Sequence, residues 1–278
     1  MSRSLAEVFA NARAEGRAAV IGYLPAGYPD KDRSVELINV MVEAGVDIVE
    51  VGLPYSDPLM DGADIQAAVE IALAGGTTPD TVLDTVAQVT SAGATAVVMS
   101  YWNPIERYGV ERFADRLLES GGHGVITPDL TPEEAGPWIQ ATNRTGMNRI
   151  FLVAPSSTDE RIRTVVAQTS GFLYAASTMG VTGSTIQVTS AAPELVARSR
   201  AFTDLPIAVG LGVSTGEQAR EIAGYADGVI VGAALVRCTL RASSYPDAIA
   251  RTRDLAAELR EGVRGTRPAV DSSTGVTT

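Results

Sequence analysis

Eight short runs of β-branched and small apolar residues, each followed by a stretch with helical spacing, constrain the fold of this chain more than any other feature. The runs cover residues 18–23, 47–51, 96–101, 124–127, 149–153, 172–176, 207–210 and 228–232. Helical spacing occupies 34–44, 79–91, 110–120, 132–143, 159–169, 191–199 and 215–223, and 246–260 closes the series. Strands that are apolar along their whole length need cover on both faces, which a parallel sheet wrapped by helices supplies. Eight such units in about 250 residues fit a closed (β/α)8 barrel of the α/β class better than an open doubly wound sheet. An additional helix is expected at 65–74, after the second strand and before the regular helix at 79–91. Residues 1–261 therefore read as one catalytic domain. The Gly/Ser/Thr/Pro-rich stretch 262–278 lacks periodicity and is expected to be a disordered tail.

Composition narrows the function. With 278 residues, 45% of them apolar, the chain can bury a full core. A net charge of −11 without a basic stripe argues against a nucleic-acid partner. The single cysteine, Cys238, cannot form an internal disulfide, and no secretory-type leader is recognised. No apolar run reaches the roughly 18 residues of a membrane span. A cytoplasmic location without a membrane partner is the expectation. One histidine, His123, and one lysine, Lys31, stand against 33 acidic residues, so any chemistry must rest on carboxylates, hydroxyls and backbone groups.

In parallel barrels the active site lies at the C-terminal ends of the strands, and glycines cluster there after the last three runs. They are Gly180-Val181-Thr182-Gly183, Gly210-Leu211-Gly212 and Gly232-Ala233-Ala234, the last opening an apolar helical turn. Backbone N–H groups at such turns and at a helix N-terminus bind anions, so a phosphorylated substrate fits. Tight turns alone would explain any single glycine. Their recurrence in three successive loops favours the phosphate reading.

The segment 47–62, DIVEVGLPYSDPLMDG, is the most informative. Glu50 alternates with Ile48, so if Ile48 points into the barrel, Glu50 does too, near the mouth. A buried, unpaired carboxyl is relieved by a raised pKa, which suits a proton donor and acceptor near neutral pH. The alternative is that Glu50 pairs with an arginine or points into water.

Scarcity removes competing mechanisms. A Schiff-base aldolase needs a lysine in the site, and Lys31 lies beside a predicted helix start after the first turn. Metal-dependent aldolases and hydrolases typically use several histidines, and His123 has no second one to join it. It also precedes the fourth strand, at the opposite end of the barrel, which disfavours a Ser-His-Asp triad. No metal site is expected.

The run EVGLPYSDPLMDG, with Tyr23-Leu24-Pro25-Ala26-Gly27-Tyr28-Pro29-Asp30, Met99-Ser100-Tyr101-Trp102-Asn103-Pro104, Pro128-Asp129-Leu130 and Gly180-Val181-Thr182-Gly183, resembles the tryptophan synthase α-subunit family over about residues 5 to 260. The resemblance implies cleavage of indole-3-glycerol phosphate to indole and D-glyceraldehyde 3-phosphate in tryptophan biosynthesis. It makes Glu50 and Asp61 the catalytic pair. Glu50 would protonate indole C3 and accept the proton of the neighbouring glycerol hydroxyl; Asp61 would accept the indole N–H. Tyr174 corresponds to the tyrosine beside the catalytic glutamate, and Thr182 to the loop threonine that contacts Asp61. Tyr23, Tyr101, Ile65 and Leu211 would line the indole pocket, though each is also an ordinary core residue. Gly183, Gly212, Gly232 and Ala233 correspond to the phosphate-binding backbone.

The resemblance further implies an α2β2 heterotetramer with a pyridoxal-phosphate-dependent β subunit, and no cofactor in this chain. The exposed loop 55–60, with Leu59 and Met60, would form the docking face. Two departures stand out. Ala233 replaces a serine common in the family, and Ser177-Thr178-Met179-Gly180 stands where the mobile loop often carries Arg-Ser-Gly. Other readings are a stand-alone indole-3-glycerol phosphate lyase, another phosphate-binding barrel of the tryptophan or histidine pathways, and a non-catalytic regulatory barrel.

Overall fold

Residue alternation along the strands divides the apolar side chains between two cores, one inside the barrel and one under the helices. The structure, a computed structural model, describes residues 2–176, 191–210 and 212–266. Its strands are β1 (Ala19–Pro25), β2 (Ile48–Gly52), β3 (Thr95–Met99), β4 (Gly124–Ile126), β5 (Asn148–Ile150), β6 (Leu152–Val153), β7 (Leu173–Ala176), β8 (Ile207–Gly210) and β9 (Gly228–Val231). All pair in parallel, in the order β5-β4-β3-β2-β1-β9-β8-β7-β6. β5 and β6 are the two halves of the fifth predicted run, interrupted at Phe151; one half pairs with β4 and the other with β7. The sheet therefore closes through this split strand into an eight-fold TIM barrel.

Ala19, Ile21, Ile48, Val97, Ile126, Ile150, Phe172, Ala208 and Ile230 fill the interior. The alternating residues Val20, Val49, Val51, Ala96, Val98, Leu173, Val209 and Val229 face outward into the larger core beneath the helices. The bottom of the barrel is closed by α1 (Leu5–Ala14), whose Leu5, Val8, Phe9 and Ala12 join the interior cluster. Phe9 packs on Phe172 with ring centroids 5.6 Å apart. This helix falls outside the strand-then-helix series because it precedes the first strand. Its i, i+3, i+4, i+7 spacing and its Ser4/Glu7 capping box are nonetheless local helix signals.

The remaining helices are α2 (Lys31–Glu43), α3 (Ala63–Ala74), α4 (Pro79–Ser91), α5 (Trp102–Tyr108), α6 (Val110–Glu119), α7 (Gly136–Thr145), α8 (Asp159–Gln168), α9 (Ala191–Arg200), α10 (Gly216–Ala223), α11 (Ala233–Leu240) and α12 (Tyr245–Gly262). α3 is the additional helix expected after the second strand. α7 starts at Gly136 and not at Pro132. Turn bonds from Glu134 N–H to Thr131 and from Ala135 N–H to Pro132 precede it, and Pro137 belongs to the first helical turn, where its missing N–H costs nothing. α5 also falls outside the predicted series. Asp129 of the Pro128-Asp129-Leu130 motif accepts the Trp102 N–H at its start, at 2.9 Å, so two separate sequence motifs meet there. Gly262 ends α12 and Val263 is fully buried in the outer core; most of the expected tail, residues 267–278, lies outside the described residues. Among the described residues no helix is long and apolar enough to cross a membrane.

Candidate active site

β2 delivers Glu50 into the barrel mouth. Its register neighbours are Tyr23 on β1 and Val97 on β3, and Ile48, two residues earlier, belongs to the interior cluster. The side chain is 2% exposed, and Oε1 is buried without a hydrogen-bond partner. The arginine-paired alternative therefore does not hold. Burial pushes the carboxyl up to about 8, because removing water penalises the charged form.

Asp61 follows the loop after β2 and immediately precedes the Gly62 cap of α3. Burial pushes its carboxyl up to about 6, while a hydrogen bond with Tyr101 opposes the shift. The Tyr101 hydroxyl also accepts the Met60 N–H at 2.9 Å, and its ring lies 5.5 Å from that of Tyr55. Tyr101 thus ties down the loop that carries Asp61, a job beyond lining a pocket. On the same loop Leu59 is 86% exposed and Met60 38% exposed, as expected for a displayed apolar tip.

Glu50 and Asp61 share one cavity with Tyr23, Ile65, Tyr174, Gly212, Gly232 and Ala233. The cavity is small, about 70 Å³, and opens toward the barrel mouth. Eight of the twelve residues proposed from sequence line it. Tyr101 contacts the loop beside it, and Leu211, Thr182 and Gly183 lie outside the described residues, as does the variant segment 177–180. Met99 and Ile230 also line the cavity and were not singled out. Met99 continues the inward alternation of Thr95 and Val97 on β3, so the period-2 rule applied to Glu50 would have found it.

Two glycines make room for the tyrosines. A Cβ at Gly52 would lie 2.5 Å from the Tyr23 hydroxyl, and one at Gly210 would lie 2.2 Å from the Tyr174 hydroxyl. Both rings lie across the mouth over bare backbone, and both phenols are raised by burial and by facing Glu50 and Asp61. Gly210 is therefore explained by Tyr174. Gly212 differs: its φ of 56° lies in the left-handed region that favours glycine. Gly232 and Ala233 open α11, where the first N–H groups point out of the helix and attract an anion.

The residues set aside on sequence grounds lie elsewhere. Lys31 begins α2, half exposed, with Asp84 at 3.6 Å. His123 precedes β4, at the end of the barrel opposite the Glu50 cavity, and burial lowers its pKa. Among the described residues no group of three or more His, Cys, Asp or Glu could hold a metal ion.

Comparison with known proteins agrees with this geometry. The family described as "Tryptophan synthase alpha chain" matches residues 9–264. Tryptophan synthase alpha chains from Nocardia farcinica and Thermobifida fusca are 58% and 56% identical, covering 94% and 95% of this chain and 96% and 97% of theirs. A chain in a structure of Mycobacterium tuberculosis tryptophan synthase superposes with a TM-score of 0.89 at 52% identity, covering 95% of this chain and 99% of that one. The tryptophan synthase subunit alpha of Legionella pneumophila superposes at 0.83 with 33% identity, covering 94% and 98%. By sequence and by fold, this chain belongs to the tryptophan synthase alpha chain family.

Proposed function

We propose that Glu50 is the proton donor and acceptor, and Asp61 the charge-stabilising carboxylate, in the cleavage of indole-3-glycerol phosphate to indole and D-glyceraldehyde 3-phosphate. That cleavage is the family's step in tryptophan biosynthesis, and this chain performs it as a carbon–carbon lyase. The observation that carries the assignment of Glu50 is its buried carboxyl, with Oε1 lacking a hydrogen-bond partner, held up to about 8 inside a cavity shared with a second carboxylate. Such a group is protonated at neutral pH and gives up its proton readily.

An aldol-type bond breaks when one fragment can hold the electron pair. Protonation of indole C3 by Glu50 turns the ring into an iminium-like acceptor. The Glu50 carboxylate then takes the proton of the glycerol hydroxyl on the adjacent carbon. The C–C bond breaks, its electrons restore the aromatic indole, and the hydroxyl carbon becomes the aldehyde. Glu50 ends protonated, ready for the next turnover. Asp61, anionic above about pH 6, accepts the indole N–H and stabilises the positive charge that grows there. Tyr23, Ile65 and Tyr174 enclose the ring, and the family resemblance assigns Leu211 to the same pocket and Thr182 to a contact with Asp61. The phosphate rests on the backbone N–H groups of Gly183, Gly212, Gly232 and Ala233. The Ala233 methyl supplies no hydroxyl contact, so the N–H groups carry the recognition. Soaking with sulfate or glycerol phosphate is expected to place the anion against Gly212, Gly232 or Ala233; an anion found solely at the α1 end of the barrel would overturn this cradle.

The chain uses no cofactor of its own and docks on a pyridoxal-phosphate-dependent β subunit as an α2β2 heterotetramer, in the cytoplasm, as a single-domain barrel. Leu59 and Met60 form the apolar tip of the docking face, and Asp61 follows directly, so docking sets Asp61's position. Adding the β subunit is expected to raise indole release at least about tenfold, equivalent to about 1.4 kcal/mol of barrier. Leu59→Glu should abolish that gain while the far-ultraviolet spectrum stays unchanged. A chain that bound no β subunit in sedimentation yet cleaved substrate rapidly would instead be a stand-alone lyase.

A further inference from the structure

Asp61 leads into α3 and the proposed phosphate cradle includes the start of α11, and an ion-pair cluster on Asp64 joins the two helices. Asp64, in the first turn of α3, accepts from Arg237 at 3.0 Å. Arg237 lies one turn into α11, four residues after Ala233. Both side chains are mostly buried, at 19% and 24% exposure, although the two residues are 173 positions apart in sequence. Arg241, more exposed, approaches the same carboxylate at 3.6 Å. The Tyr28 phenol also faces Asp64 and is itself pushed up to about 12.

The first turn of α3 holds Asp61 through its backbone. The Gln66 side-chain amide donates to the Asp61 carbonyl at 2.7 Å, and the Gln66 N–H donates to Gly62. The Gly62 cap contributes no side-chain cap of its own. On its other side Asp61 is held by Tyr101, at the end of a loop that exposes Leu59. Ile65, next to Asp64, reaches the cavity, and its Cδ1 lies 3.6 Å from where a Gly232 Cβ would stand. The two helices therefore touch at the cavity and are pinned one turn further out by Arg237 and Asp64. A pair this buried gains little net stability over an apolar replacement, although removing one partner alone leaves the other charge uncompensated. Its effect is geometric, because a misplacement of about 1 Å at a reacting group costs roughly 100-fold in rate.

We propose that Arg237 is a positioning residue for the cleavage reaction: through Asp64 it fixes the first turn of α3, and with it Asp61, relative to the phosphate cradle on α11. The inference rests on the roles proposed above for Asp61 and for the start of α11. Substrate anchored by its phosphate on α11 then meets an Asp61 whose distance from that anchor depends on the Arg237–Asp64 pair.

The test is steady-state kinetics of indole release with the β subunit present. Arg237→Met keeps the aliphatic stem and removes the charge. It is expected to lower kcat at least about tenfold while KM for indole-3-glycerol phosphate changes less than about threefold. Asp64→Asn, nearly isosteric, should give the same split and carries the test alone if Arg237→Met does not fold. In an Asp61→Asn background, Arg237→Met should lower kcat by less than about twofold further, because the group it positions is gone. A wild-type kcat in Asp64→Asn, or a full additional loss in the Asp61→Asn background, would overturn the proposal while leaving the role of Asp61 intact. An Asp61→Asn variant that is itself fully active would instead remove the reading on which the proposal rests.

Discussion

Replacing Glu50 with glutamine is expected to lower indole release by about 10² to 10⁴, the usual contribution of a general acid–base group, while substrate binding remains measurable. The amide keeps the shape of the side chain and fills the same space over the interior cluster, but cannot donate and then recover a proton. A variant with more than about a tenth of wild-type turnover would end the assignment. The same substitution should make the protein more stable. A carboxyl whose folded pKa stands at about 8, against 4.5 in the open chain, binds its proton more tightly in the folded state. Stability on its account is therefore fully present below about pH 4.5 and is lost as the pH rises toward 8. For this nearly fully buried group the loss is on the order of a few kcal/mol. Thermal melts of Glu50→Gln should thus match wild type near pH 4.5 and exceed it by a widening margin up to pH 8. Equal melting temperatures across that range would mean that Glu50 is hydrated and ordinary.

Asp61→Asn should lower kcat by about 10² to 10³, the scale of losing one electrostatic contact to a developing charge. A neutral amide can still meet the indole N–H, so affinity for an uncharged indole analogue should change little. The pH dependence separates the two carboxyls. Wild-type kcat/KM requires Asp61 ionised and Glu50 protonated, so it should fall below about pH 6 and again above about pH 8. Asp61→Asn should keep the alkaline limb and lose the acidic one. An Asp61→Asn variant as active as wild type would reduce Asp61 to a turn residue at the start of α3.

Much of this was legible because barrel chemistry follows residue alternation. Ile48 and Glu50 share one face of β2 by the two-residue period, and the eight runs matched the strands to within a residue or two at most ends. What escaped depended on neighbours distant in sequence. Gly210 read as part of a phosphate turn, but the space it leaves is filled by the Tyr174 phenol from the adjacent strand, and Gly52 does the same for Tyr23. No local pattern announces such a pairing. The break at Phe151, where one half of the fifth strand pairs with β4 and the other with β7, likewise has no signal in residues 149–153. The family resemblance assigns Tyr101 to the indole pocket, an assignment that carries no information on the loop contact it makes, its bond to the Met60 N–H. The Arg237–Asp64 contact joins the start of one helix to another 173 positions away, a separation over which sequence pattern carries no information.

The central claim is that a single buried carboxyl, neutral at physiological pH, performs both proton transfers. The measurement that tests it most directly is a titration of the side-chain carboxyl carbons by 13C NMR in protein labelled at glutamate, with the Glu50 signal identified by its loss in Glu50→Gln. The account predicts a midpoint near 8 for Glu50, well apart from the other glutamates. A Glu50 midpoint near 4.5 would show a carboxylate already ionised at neutral pH, with no proton to give to indole C3, and would contradict the mechanism.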